Sequence, residues 1–96
     1  MRVKEIMWLP EIEEKLLRKH AVAIEEVEDV LFDKPQIYFL ENGHRAGENV
    51  YAAYGQTEAG RYLTIFFILK PHAQALVISA RNMDAKERKH YGRKHR

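Results

Sequence analysis

Four residues of this chain combine types and placement that could do chemistry: His44, Glu48, Arg61 and Arg81. Arg61 opens one strand-like segment and Arg81 ends the next, with the chain turning at Pro71 between them. An antiparallel hairpin would carry both guanidinium groups to one edge of a sheet. His44 and Glu48 stand with Arg45 in a polar loop that follows the strand-like run ending at Leu40. These are the parts of metal-free RNA cleavage. A base takes the 2′-OH proton, guanidinium groups stabilise charge gathering on the scissile phosphate, and an acid protonates the leaving oxygen. Lys19 and His20 at the end of a helical segment, with Arg45, Arg88 and Tyr91, are candidates to bind the substrate. Tyr51, Tyr54, Tyr62 and Tyr91 offer faces on which bases can stack. The plainer reading pairs the arginines with glutamates of the acidic helices and leaves His44 and Glu48 as loop polars. It puts most of the tyrosines in the core or on a sheet face.

Other chemistries find no footing. The chain lacks cysteine, so disulfides, thiolate zinc sites, iron–sulfur clusters and thiol nucleophiles are excluded together. It has no glycine-rich phosphate loop and no nucleophile elbow. Ser79, the only serine, falls inside a strand pattern. His90 and His95 are five residues apart and point to different faces of a helix, a poor metal pair, so neither a metal nor another cofactor is expected. No apolar run approaches a membrane span and the N-terminus has no signal-peptide core, which leads to the expectation of a cytoplasmic protein without membrane contact.

The elements that must position these residues follow from periodicity and charge. Ninety-six residues allow one small α+β domain with a shallow cleft, expected over 1–92 with a basic tail at 93–96. The formal charge of +2 conceals a polarity. Residues 1–48 hold seven Lys/Arg against eleven Asp/Glu, net −4, and residues 49–96 hold nine against three, net +6. The excess is greatest from Arg81 onward, where phosphate or an acidic partner would be favoured. A short strand before Pro10 is followed by a helix to His20, with glutamates in its first turn and Arg18, Lys19 and His20 in its last. Ile24, Val27, Val30 and Leu31 mark a second helix that ends by Pro35. Strand patterns then run over 36–40, 50–56, 61–69 and 74–81; the third is apolar on both faces and so central. Asp84 and Glu87 form a capping box for a last helix, with Gly92 as its stop. The expected architecture is an antiparallel meander with two N-terminal helices and one C-terminal helix.

The chain resembles the BrnT family of toxins, small proteins of RelE-like ribonuclease fold. The resemblance rests on Trp8 before Pro10, on Arg18-Lys19-His20-Ala21-Val22 with Glu25-Glu26, and on His44 with Gly47-Glu48. It continues through Gly60-Arg61-Tyr62-Leu63 and Ile78-Ser79-Ala80-Arg81 to Glu87-Arg88 and Tyr91. It implies an endoribonuclease toxin of a type II toxin–antitoxin system that halts translation by cutting RNA without a metal. It also implies a cognate antitoxin of ribbon-helix-helix type, and a homodimer or a hetero-oligomer with that antitoxin. The chain departs from the family pattern at Leu9, Ala21 and Val50, where an acidic residue, a glycine and an arginine are common. Val50 supports the alternative of a non-enzymatic toxin-like module that binds an antitoxin or nucleic acid.

Overall fold

The protein is described by a computed structural model covering residues 1–43 and 47–94. Helix α1 (Pro10–His20) starts with its proline at the first position, where the missing N–H is not needed. It ends in a left-handed residue, Ala21, at φ 52°. The N–H groups of Ala21 and Val22 close onto the carbonyls of Leu17 and Leu16, the pattern usually built on glycine. Helix α2 (Ile24–Leu31) follows directly, with the Glu26 carboxylate accepting from the Ala23 N–H at its start. Val27, Val30 and Leu31 of α2 and Leu16 of α1 are fully buried.

The two helices cover one face of a five-stranded sheet. Strands β1 (Glu5–Met7), β2 (Gln36–Glu41), β3 (Val50–Gln56), β4 (Tyr62–Lys70) and β5 (Gln74–Asn82) are ordered β1-β5-β4-β3-β2. The last four form the expected antiparallel meander. β1 corrects the expectation of a purely antiparallel sheet, because it adds to β5 in parallel. On the helical face, Ala53, Leu63, Ile65, Phe67, Ala75, Val77 and Ala80 pack against the α1–α2 residues as one core. Gly55 belongs to this contact, since a Cβ there would fall 2.7 Å from Val30 Cγ1. α2 and β3 can therefore approach more closely than side chains on both would permit.

Helix α3 (Ala85–Lys94) lies on the opposite face of the sheet and continues through Gly92, past the expected stop. Its capping box is present. The Asp84 carboxylate accepts from the Glu87 N–H at 2.8 Å, and the Glu87 carboxylate accepts from the Asp84 N–H at 2.9 Å. Among the described residues, no helix is long and apolar enough to cross a membrane.

Candidate functional site

β-sheet register determines what faces α3. One row crosses four strands, Gln36 beside Tyr54, Tyr54 beside Thr64, and Thr64 beside Arg81. Directly paired residues point to the same face, so all four side chains project toward α3. The next row, Ile37, Ala53, Ile65 and Ala80, points the other way into the core.

Arg81 is the charged member of the polar row, and Glu87 of α3 holds it. Its Nη1 and Nη2 donate to the two Glu87 carboxylate oxygens at 2.7 and 2.9 Å, and Nη1 also donates to the Asn82 carbonyl. The guanidinium lies over the Phe66 ring, 5.2 Å from its centroid. A guanidinium has five N–H donors. Three are used, so Nε–H and one Nη2 hydrogen have no partner among the described residues. Glu87 also accepts from the buried Thr64 hydroxyl at 2.9 Å. Burial alone would push the Glu87 carboxyl up, but the hydrogen bonds from Arg81, the Asp84 N–H and Thr64 outweigh it and hold it below the ordinary 4.5. The Glu87 hydrogen bond in turn holds Arg81 above its ordinary value despite burial.

Tyr54 stands beside this pair. Burial, and then the negative charge of Glu87, raise its pKa above 10.0, so the phenol stays protonated and able to donate. His90 packs edge-on to both Tyr38 and Tyr54, with its Nε2 2.9 Å from the Tyr38 oxygen. Tyr54, Asp84, Lys86, Glu87, Lys89, His90 and Arg93 line an open cleft of about 610 Å³. Lys86, His90 and Arg93 recur at helical spacing, so α3 presents one predominantly cationic stripe. Such a cleft can hold a phosphate between fixed donors and leave both sides open to an extended strand. Among the described residues, no group of three or more His, Cys, Asp or Glu side chains is arranged to hold a metal ion.

The other candidates are placed elsewhere. Arg61 and Arg81 come to one end of the hairpin, but the two guanidinium groups do not share a face. Arg61 lies on the helical face. Its Nε donates to Asn82 Oδ1, its Nη1 to the Ala21 carbonyl and Glu26, and its Nη2 to the His20 carbonyl. It thus ties the end of α1 to the start of α2 and to β5. Lys19 and His20 stand in the last turn of α1, where the His20 carbonyl accepts from Arg61, and neither lines the α3 cleft. Glu48 accepts from Lys70 Nζ at 2.7 Å. That pair lies at the far end of the sheet from Arg81, six residues along β4 from Thr64, roughly 20 Å at about 3.3 Å per residue. His44 and Arg45 lie outside the described residues.

Of the aromatic candidates, Tyr91 is 6% exposed and packs against Tyr62, and Arg88 covers the Tyr62 ring at 3.5 Å. Tyr51 stacks on Phe67 in the core. Of the four tyrosines named as possible stacking faces, Tyr54 lines the α3 cleft, with Tyr38 as an unanticipated neighbour. Glu87 and His90 were also not anticipated as site residues. The signal for Glu87 was its place three residues after Asp84, and for His90 its helical spacing from Lys86 and Arg93.

The comparisons with known proteins agree with this architecture. A profile of the family described as "Ribonuclease toxin, BrnT, of type II toxin-antitoxin system" matches residues 8–87. No curated protein sequence is a significant match. The fold is similar to the crystal structure of the Brucella abortus ribonuclease toxin BrnT, with a TM-score of 0.62 at 17% identity. That similarity covers 85% of this chain and 99% of the Brucella one.

Proposed function

The chain belongs to the BrnT family of ribonuclease toxins of type II toxin–antitoxin systems, and from that premise we propose that it cleaves RNA without a metal at the cleft between α3 and the sheet. The observation that carries this reading is Arg81, fixed by Glu87 with two N–H donors unspent among the described residues, where Glu87 is itself a wall of the cleft that Tyr54, Lys86, Lys89, His90 and Arg93 also line. Arg81 and Tyr54 hold the non-bridging oxygens of the scissile phosphate and oppose the charge that grows there as the 2′-oxygen attacks. Lys86, Lys89 and Arg93 receive the neighbouring phosphates and draw the RNA along α3. The permanent charge of the guanidinium does the work a divalent cation does elsewhere. Arg61, by contrast, shapes the fold that presents the cleft.

The reaction breaks the bond from phosphorus to the 5′-oxygen and leaves a 2′,3′-cyclic phosphate and a 5′-hydroxyl. Cutting RNA in this way stops translation, and the cognate antitoxin restores it. An antitoxin of ribbon-helix-helix type, a hetero-oligomer with it and a cytoplasmic setting complete the reading. The test is purified protein incubated with RNA in excess chelator. Cleavage to cyclic-phosphate ends, and arrest of a translation extract that added antitoxin relieves, are expected. Salt-sensitive binding without cleavage would instead leave a non-catalytic RNA-binding module.

A further inference from the structure

A chain of hydrogen bonds with only one consistent direction ends at His90. Gln36 Nε2 lies 3.3 Å from the Tyr91 carbonyl, which can only accept, so the amide nitrogen faces that carbonyl and Oε1 faces Tyr38. Tyr38 then donates its single O–H to Gln36 Oε1 at 2.9 Å. The Tyr38 oxygen is left as an acceptor toward His90 Nε2 at 2.9 Å. His90 Nε2 must therefore carry the hydrogen of the neutral imidazole. The lone pair is on Nδ1.

We infer that His90 is the general base of the reaction, with Nδ1 taking the 2′-OH proton, and that Tyr38 and Gln36 are positioning residues that fix its tautomer through the Tyr91 carbonyl. The inference rests on the α3 cleft being the RNA site. In the step, the 2′-O–H bond breaks and its proton goes to Nδ1. The 2′-oxygen bonds to phosphorus, and the electron pair of the breaking bond leaves on the 5′-oxygen, which takes a proton from water in the open cleft. The imidazolium then returns its proton to solvent, and the positive charge it held meanwhile is stabilised by the Tyr38 oxygen. The groups facing the ring are Tyr38 of β2 and Tyr54 of β3, with Lys86, Glu87 and Arg93 one turn away on α3 and Arg81 of β5 beyond Glu87. Neither tyrosine competes for the proton, because burial raises the pKa of both.

Two measurements test the assignment. Long-range proton–nitrogen NMR of the folded wild type is expected to show the Nε2–H tautomer at His90, and Tyr38→Phe to return it toward a mixture. In cleavage assays, His90→Ala and His90→Gln are expected to lose about 10²-fold or more in kcat, the usual range for a lost general base. The acidic limb of the kcat/KM profile should go with it, and added imidazole should restore part of the rate to His90→Ala. Tyr38→Phe should lower kcat with little change in KM. An unchanged rate and pH profile in both folded His90 variants would overturn the base assignment while leaving RNA cleavage standing. A wild type with the Nε2–H tautomer that cleaves no RNA would overturn the functional reading and the base assignment together. An Nδ1–H tautomer in the wild type would overturn the relay.

Discussion

Arg61 and Arg81 stand at the same end of the same hairpin, yet they serve opposite faces of the sheet. Arg61 spends its guanidinium on two helix-end carbonyls, Asn82 and Glu26, and so closes the helical layer on itself. Arg81 is oriented by the Glu87 carboxylate and the Asn82 carbonyl, and two of its N–H donors have no partner among the described residues. The difference teaches that residue type and proximity do not make a site. A guanidinium with four of its five N–H groups engaged acts as a structural clamp, and one with two donors unspent is free to receive an anion.

The largest separation between them is expected in activity. Arg81→Ala should lower RNA cleavage by about 10²–10³-fold, the effect of removing a donor aimed at developing negative charge. It should remain folded by circular dichroism, and Arg81→Lys should recover only part of the rate because an ammonium cannot keep the bidentate geometry. Equal losses in Arg81→Ala and Arg61→Ala, both folded, would erase the distinction. The next effect is in stability. Arg61→Ala strips donors from the His20 and Ala21 carbonyls and from Glu26, and should cost about 2–3 kcal/mol. Thermal unfolding should show this as a fall of roughly 10–20 °C in Tm for a domain of this size.

A smaller effect tests the carboxylate on the α3 face. Glu87 has a folded pKa below its ordinary value, so its ionised form adds stability that is fully present above pH 4.5 and is lost as pH falls through the folded value. Glu87→Gln should therefore be about 1–2 kcal/mol less stable than wild type at neutral pH, and the gap should narrow in acid denaturation below pH 4.5. The smallest expected effect lies on the helical side. Ala21 is left-handed at the end of α1, so Ala21→Gly should stabilise the protein by up to about 1 kcal/mol. Chemical denaturation would register this as a higher midpoint at unchanged slope.

Much of this was legible in the sequence. Pro10 and the charge order of 11–20 marked α1, the double-faced apolar run marked β4, and Asp84 with Glu87 marked the cap of α3. β1 was legible as a strand but not in its pairing, because three residues that join β5 in parallel depend on contacts remote in sequence. The split between the arginines has a local cause. Between Phe66 and Phe67 the register with β5 shifts by one, with Phe66 opposite Ser79, Phe67 opposite Val77 and Ile78 left over as a bulge. An unbulged hairpin would put Arg81 opposite Leu63, on the face of Arg61. The bulge moves it opposite Thr64, beneath α3. Nothing in the apolar run Leu76-Val77-Ile78 announces which residue is extra. The Glu87–Arg81 pair and the Gln36–Tyr38–His90 chain were hidden for the same reason, since they depend on rows that only the register creates.

The most direct test of where RNA binds needs no turnover. A 2′-O-methyl oligoribonucleotide, which cannot be cleaved, is titrated into isotope-labelled protein while backbone amide shifts are followed. The account predicts that the perturbed amides cluster at Tyr54, Arg81, Glu87 and His90, with those of His20, Ala21 and Arg61 unmoved. Perturbations centred on Lys19, His20 and Arg61, with the α3 face silent, would contradict it.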